Sequence, residues 1–410
     1  MRSFWILVLL LFSLPAFSQE EEKNPFRFNY KGFIDSYQAA RTGDGWDYMS
    51  SRNRVRFECG LEKGSASAFV SVNAVYNPIL KDQTGLFLRE AYLDYNNEGW
   101  GLKVGKQIVT WGVADGLQLT DIISPMDYTE FLAQDYDDIR VPVTAVRFGY
   151  GTPLFHVEAV FIPVPEFYIL PSDAANPWAV RMNGIPCHIV QSKPSFSLPN
   201  SEFGLRTSFY FSGIDFSLCA LHTYNKMPAF TTTGVDEYGQ LMMNAENGRM
   251  TMVGGDFSIP LGKFVIRGEV AEYFNALQTV SQMGVSPLTK NQTLALIGLD
   301  WYPGSDWTIM LQYEHTYISD YDNRISAYRN SGMATVNIKK ELFRNMLKLS
   351  AFGRIDCANE GAFFIRFNAD YLLTDQITLT AGYDWFRADA GTFAMYKDNS
   401  EVFIKAKFSF

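Results

Sequence analysis

After its first eighteen residues the sequence has no uninterrupted apolar run near the ~20 residues that a membrane-spanning helix requires. Its mean hydropathy is only −0.08, so a polytopic helical membrane protein is excluded. Charge is scarce too, at 19% of residues, and the net charge of −9 argues against nucleic acid as a partner. There are four cysteines, Cys59, Cys187, Cys219 and Cys357, with no CxxC pair and no metal-like spacing, so neither a disulfide scaffold nor a zinc module is expected. Cys59 and Cys219 sit inside strand patterns as small apolar residues; Cys187 and Cys357 fall in or beside loops and could pair. No glycine period exists, and 47% hydrophobic residues exclude disorder. No cofactor is implied. What the chain has in quantity is aromatic residues: 33 Phe, 22 Tyr and 8 Trp.

The N-terminus indicates export. Arg2 supplies a positive start, Phe4 to Phe12 a short apolar core, and Ala16-Phe17-Ser18 small residues ahead of the polar Gln19-Glu20-Glu21-Glu22. Residues 1–18 are therefore expected to be a signal peptide read by the Sec pathway. No cysteine follows the cleavage site, so a lipoprotein anchor is not expected.

From there to the end the hydrophobic period is two. Asn53, Val55, Phe57, Cys59 and Leu61 alternate with Arg52, Arg54, Arg56, Glu58 and Glu62. The pattern recurs in Phe203, Leu205, Phe209 and Phe211 against Glu202, Arg206 and Tyr210. In the last strand Val402, Ile404, Ala406, Phe408 and Phe410 oppose Lys405, Lys407 and Ser409. A barrel in a bilayer needs an apolar outer face and a wet inner one, with closure satisfying every backbone group. Strand-end rings such as Tyr76, Tyr95, Trp100, Tyr150, Trp301 and Trp385 fit the aromatic girdles at the membrane interfaces.

Connections alternate in length. Short turns are read at Lys63-Gly64-Ser65, Asn96-Asn97-Glu98-Gly99, Gly149-Tyr150-Gly151-Thr152, Ser212-Gly213, Pro260-Leu261-Gly262, Tyr302 to Asp306, Arg344-Asn345 and Thr374-Asp375-Gln376. Mostly longer connections lie near 41–50, 77–85, 110–140, 163–201, 225–248, 274–291, 318–332, 357–361 and 387–401. Eight turns and nine connections make eighteen strands, with sixteen as the alternative. The expected fold is all-β: residues 19–410 as one transmembrane antiparallel barrel with short periplasmic turns and long extracellular loops. A terminal Phe after an aromatic strand resembles substrates of the barrel-assembly machinery. A β-helix would need a short internal repeat, and none is present.

Presumed lumen positions lean basic, with Arg52, Arg54, Arg56, Lys103, Lys106 and Arg147 among them, while acids gather in the loops. An arginine ladder on one strand would draw anions through a constriction. Residues 110–140 hold Trp111, Asp115, Asp121, Asp127, Glu130, Asp135, Asp137, Asp138 and Arg140 beside apolar Leu117, Leu119, Ile122, Ile123, Phe131 and Leu132. Residues 163–201 hold seven prolines. Unstructured connections of such length are uncommon unless functional, and both are expected to fold into the lumen. There Asp121, Asp127, Asp137 or Asp138 should bond basic groups such as Lys106 or Arg140. Acid clusters can also bind calcium, but this loop lacks the spacing of a dedicated calcium motif, and no metal site is expected.

One block carries a likeness. Arg89-Glu90-Ala91-Tyr92-Leu93-Asp94-Tyr95, Gly105-Lys106-Gln107, Trp111-Gly112, Ala114-Asp115-Gly116, Ser124-Pro125-Met126-Asp127-Tyr128 and Asp137 to Pro142 resemble a motif block of an uncharacterised family of Gram-negative outer-membrane barrels. That family is often encoded beside RND-type exporters and is more distantly similar to alginate-export porins. The resemblance implies an outer-membrane conduit for a lipid-like or polyanionic molecule, with an inner-membrane exporter as partner.

Alternatives are an outer-membrane phospholipase- or protease-type enzyme, or a surface-binding, adhesion barrel. Only His156, His188, His222 and His315 are available for catalysis; none adjoins an obvious nucleophile, and no Gly-x-Ser-x-Gly elbow occurs, so no catalytic residue is expected. With a first strand near Phe26 there is no room for the plug of an energy-coupled receptor. The expectation is a porin-like channel for passive transport or export of small polar, anionic or lipid-like solutes, seated among membrane lipids and lipopolysaccharide.

Overall fold

The computed structural model describes residues 25–410 apart from 44, 136, 137 and 183; the expected signal peptide and Asp137 lie outside the described residues. Alternation builds the wall. In strand Tyr48–Lys63, Arg52, Arg54 and Arg56 are 6–9% exposed, while Val55, Phe57 and Leu61 are 41–43% exposed. The same period runs through eighteen antiparallel strands in one closed sheet. Closure joins strand Arg27–Arg41 to strand Glu401–Ser409, from Phe33–Ser409 to Arg41–Glu401. The terminal Phe410 extends the seam by exchanging both backbone hydrogen bonds with Gly32, at 2.9 and 3.0 Å. A Cβ at Gly32 would lie 2.4 Å from the Arg56 carbonyl oxygen, so only glycine fits there.

The eight turns and nine longer connections fall at the positions read from the sequence, and the count is eighteen rather than sixteen. Ser305 and Asp306 show why the turns can be tight. Both have positive φ, 52° and 61°, the hand that matches strand twist in a two-residue hairpin.

Two expectations need correction. Residues 163–201 do not all fold inward without regular structure. Arg181–Met182 and Ile185–Gln191 join Ala229–Val235 and Leu241–Glu246 in a separate four-stranded sheet. Ile185–Gln191 and Leu241–Glu246 pair in parallel around Cys187, Leu241 and Met243, which supply a small apolar core of their own. The inner wall is also drier than alternation implies. Toward the long connections its inward residues, among them Val143, Val160, Leu221, Met252, Leu294 and Leu296, pack on Val109, Trp111, Leu117, Leu119, Ile122 and Ile123. A second core sets Tyr37, Phe364, Phe386 and Phe403 of the wall against Phe131, Trp178, Phe393 and Tyr396. At about 1.5–3 kcal/mol per fully buried large side chain, these two cores are what hold residues 108–142 inside the barrel. All four cysteines are free, so Cys187 and Cys357 do not pair.

Candidate functional site: an inner segment between two apolar cores

Strand Trp100–Gln107 ends where Gln107 donates to the Ala145 carbonyl at 3.1 Å. The chain then turns inward, and its backbone donors are met by side chains in place of a ladder. Ile108 N–H donates to Glu90 at 3.0 Å, Val109 N–H to the Ser124 hydroxyl at 2.9 Å and Trp111 N–H to Asp121 at 2.9 Å. Asp121 also accepts from Arg140 and so staples the outgoing leg to the returning one. Asp127 N–H to Ile139 O at 2.6 Å and Val141 N–H to Pro125 O at 2.8 Å close the base.

The wall holds this segment most firmly at Glu269, 1% exposed on strand Phe264–Gln278. Its carboxylate accepts from Val113 N–H at 3.0 Å, Ala114 N–H at 3.2 Å, Thr120 N–H at 2.6 Å and the Thr120 hydroxyl at 2.8 Å. Gly112 makes that approach possible. Its φ is +83°, and a Cβ there would sit 2.7 Å from the Thr120 hydroxyl and 2.8 Å from Glu269. Further braces lie around the wall. Trp111 Nε1 donates to Glu158 at 2.7 Å, and Glu158 also pairs with Arg147. Asp115 accepts from Asn337 at 3.2 Å while its N–H donates to Gln312 at 3.2 Å. Arg366, forked onto Asp384 at 2.8 Å, donates to Gln134 O at 3.0 Å, and Lys405 meets Asp135 at 2.8 Å.

Two polar seams remain between the cores. The first runs along strand Tyr48–Lys63. Arg52 pairs with Glu130 at 3.1 Å; Arg54 binds Asp35 at 2.6 Å and Asp138 at 2.9 Å; Arg56 binds Asp138 at 2.8 Å and Asn73 at 2.7 Å. Beside it is a cavity of about 310 Å³ that shares Gln83 and Ile169 with a cavity of about 680 Å³ toward the long connections. The second seam holds Glu314 and Arg354 on the wall opposite Tyr128 and Tyr168, around about 220 Å³. Arg354 Nε is buried there with no hydrogen-bond partner.

The ladder of Arg52, Arg54 and Arg56 is therefore not the open anion-drawing surface expected. Each guanidinium is buried against loop or wall carboxylates, since an unpaired buried charge is costly. Burial alone would raise Asp138, but Arg54 and Arg56 outweigh it and hold its carboxyl well below the usual carboxylate range. Burial pushes Asp121 up, only partly opposed by Arg140. It pushes Asp127 up as well, and that carboxylate is met by the N–H and hydroxyl of Thr129, at 2.9 and 2.5 Å, and not by a base.

Of the pairings expected, Asp121–Arg140 forms, and Asp138 turns to Arg54 and Arg56 in place of Lys106. Lys106 pairs in register with Ala91 and Thr144, one place out of phase with inward Gly105 and Gln107. Lys103 lies nearer the turns, 3.4 Å from Asp94 and over the Tyr92 ring. Sequence reading missed Glu269, Asp35 and the Arg366–Asp384 fork as anchors. Among the described residues no three His, Cys, Asp or Glu side chains converge as a metal site.

Three solved structures share this architecture. OccAB1 of Acinetobacter baumannii is 11% identical with a TM-score of 0.55, covering 96% of this chain and 99% of its own. OccAB3 of the same species is 11% identical at 0.52, covering 94% and 99%. OccK3 (OpdO) of Pseudomonas aeruginosa is 8% identical at 0.52, covering 93% and 95%. At such identities the likeness is one of fold. No curated protein matches the chain in sequence. The family model described as protein of unknown function, DUF1302, matches residues 81–336, which takes in the whole inner segment and the wall strands of Glu158 and Glu269. Since that match spans well over half of its length, the chain belongs to the DUF1302 family.

Proposed function

We propose that this protein is a porin-like channel of the Gram-negative outer membrane, passing small polar solutes by diffusion through the seams beside residues 108–142. The observation that carries the reading is the inner segment itself, anchored on opposite walls at Glu269 and at Arg54. A fixed strand of chain across a closed barrel narrows the passage without needing to move. The outward rows of Val55, Phe57, Leu61, Ile404 and Phe408 suit a hydrocarbon surround, with lipid and lipopolysaccharide as neighbours. Export by the Sec pathway and folding by the barrel-assembly machinery complete the proposal, and an inner-membrane exporter is the partner that the family resemblance implies.

Mixed charge in the seams favours small polar or zwitterionic solutes over simple anions. Arg54 and Arg56 face Asp35 and Asp138, and Arg354 and Glu314 share the wall of the second cavity. Catalysis forms no part of the proposal. His222 bonds Thr251, His315 lies near Tyr313 and Asn330, and His188 lines the outer cavity, all at separate places. Purified protein in planar bilayers should give discrete ohmic steps, and liposome swelling with graded sugars should give a size cut-off. A barrel that seals the bilayer and admits no sugar would contradict the reading.

A further inference from the structure

The rim of the barrel is open beside one strand that reaches higher than its neighbour. Strand Gly85–Asn97 is bonded on one edge from Val75–Gly85 to Ala66–Tyr95. On its other edge pairing runs only from Ala91–Lys106 to Asn97–Trp100. Strand Trp100–Gln107 stops there, strand Val143–Gly151 begins opposite Gln107, and the chain between them has turned into the lumen. Among the described residues Gly85–Glu90 thus have no ladder partner on that edge.

That edge lies at membrane depth. Leu86 and Leu88 are on the outward phase, 64% and 46% exposed, below the level of Tyr76, whose exposed ring ends the adjacent strand. Unpaired backbone at such depth is tolerated only where it borders a wet cavity. One is present: the cavity of about 310 Å³ is lined by Arg52, Arg54, Asn73, Glu130 and Asp138 from inside and by Leu88 and Lys106 from the lipid-facing phase, so its lining draws on both faces of the wall. Arg52 and Arg54 are held by carboxylates, whereas the Lys106 ammonium makes no hydrogen bond or ion pair with any described residue. An unpaired lysine on the lipid-facing phase is a standing penalty unless something anionic or wet meets it.

We propose that this gap is a lateral portal for a single-chain anionic amphiphile. Its head is drawn by Lys106 into the arginine-lined cavity while its chain stays on Leu86 and Leu88, so that it moves between the interior and the outer leaflet. The inference rests on the channel reading for its inner destination, and goes beyond it in naming a side exit and a solute class.

The test uses the full-length barrel in phosphatidylethanolamine vesicles and, as probe, dodecyl phosphate with a diazirine at the chain end. Photolabel should concentrate on Leu86, Leu88 and Pro142, fall about fivefold to tenfold in Lys106→Glu, and persist in Lys106→Arg. Leu88→Trp, which fills the gap from the lipid side and leaves the charge in place, should also lower it. Heat-modifiability on gels confirms that each variant has folded. Label spread evenly around the outer wall, label unchanged by Lys106→Glu, or label confined to Ile79, Leu80 and Leu170 at the mouth would overturn the portal. Equal labelling by a diacyl phosphatidylglycerol probe would make Lys106 a resident headgroup site and overturn it too. Wild-type conductance on the same preparation separates the two readings: steps without portal labelling sink the portal alone, and absence of steps sinks the channel.

Discussion

Thr120 meets Glu269 twice, through its backbone N–H at 2.6 Å and its hydroxyl at 2.8 Å, and so joins residues 108–142 to the barrel wall at a single buried carboxylate. Val113 and Ala114 add two more donors to the same group. Glu269→Ala would leave three buried N–H groups unmet, at about 1–3 kcal/mol each, against about 1 kcal/mol for the hydroxyl lost in Thr120→Val. Glu269→Ala should therefore show strongly raised open-channel noise and frequent sub-conductance steps, Thr120→Val a small increase. Equal, quiet traces in both would mean that the segment is held elsewhere.

The arginine ladder gives an opposed pair of outcomes. Asp138→Asn strips the shared partner from Arg54 and Arg56, so reversal potentials in a KCl gradient at low salt should shift toward anion preference. Arg54→Ala with Arg56→Ala leaves Asp35 without its arginine and Asp138 with Arg89 at 3.8 Å, and should shift them toward cations. If neither variant moves the reversal potential, ions do not pass the first seam.

Acid should act on the segment in a set order. Asp138 is depressed, so its contribution to stability is full above the unfolded carboxylate value near pH ~4 and is lost only as pH falls through its lower folded value. Asp121 and Asp127 are raised, so they take up protons above that value, and folding is relieved of their buried charge as pH falls through their folded values. Infrared difference spectra between about pH 7 and about pH 4 should show a protonated-carboxyl band that weakens in Asp121→Asn with Asp127→Asn and keeps its full intensity in Asp138→Asn. Loss of the band in Asp138→Asn alone would reverse the assignment.

Much of the wall was legible because lipid on one side and water on the other force a period of two. Val55 and Phe57 against Arg54 and Arg56 could be assigned without coordinates, and Ser305-Asp306 or Lys63-Gly64-Ser65 are turns by composition. The inward course of the loop could be inferred from the apolar share of Leu117, Leu119, Ile122 and Ile123, which nothing outside a barrel would bury. The loop's partners could not. Glu269 is 149 residues from Thr120, and which wall carboxylate faces it depends on the stagger accumulated around eighteen strands. Leu294 and Leu296 were illegible for another reason: with Ala295 between them and Ile297 next, both faces of the strand are apolar and alternation says nothing of the inner one. The small sheet arises from two separate loops, Ile185–Gln191 and Leu241–Glu246, and parallel pairing of distant segments leaves no local signature.

The central claim is that residues 108–142 set the width of the passage. Single-channel recording of a variant lacking residues 115–135, shown by heat-modifiability and circular dichroism to have folded as a barrel, tests it most directly. The deletion removes Glu130, the loop partner of Arg52, and Phe131 from the second apolar core, while the wall contacts that close the eighteen strands stay in place. The account predicts a severalfold rise in conductance with a larger sugar cut-off; an unchanged conductance in the folded deletion would contradict it.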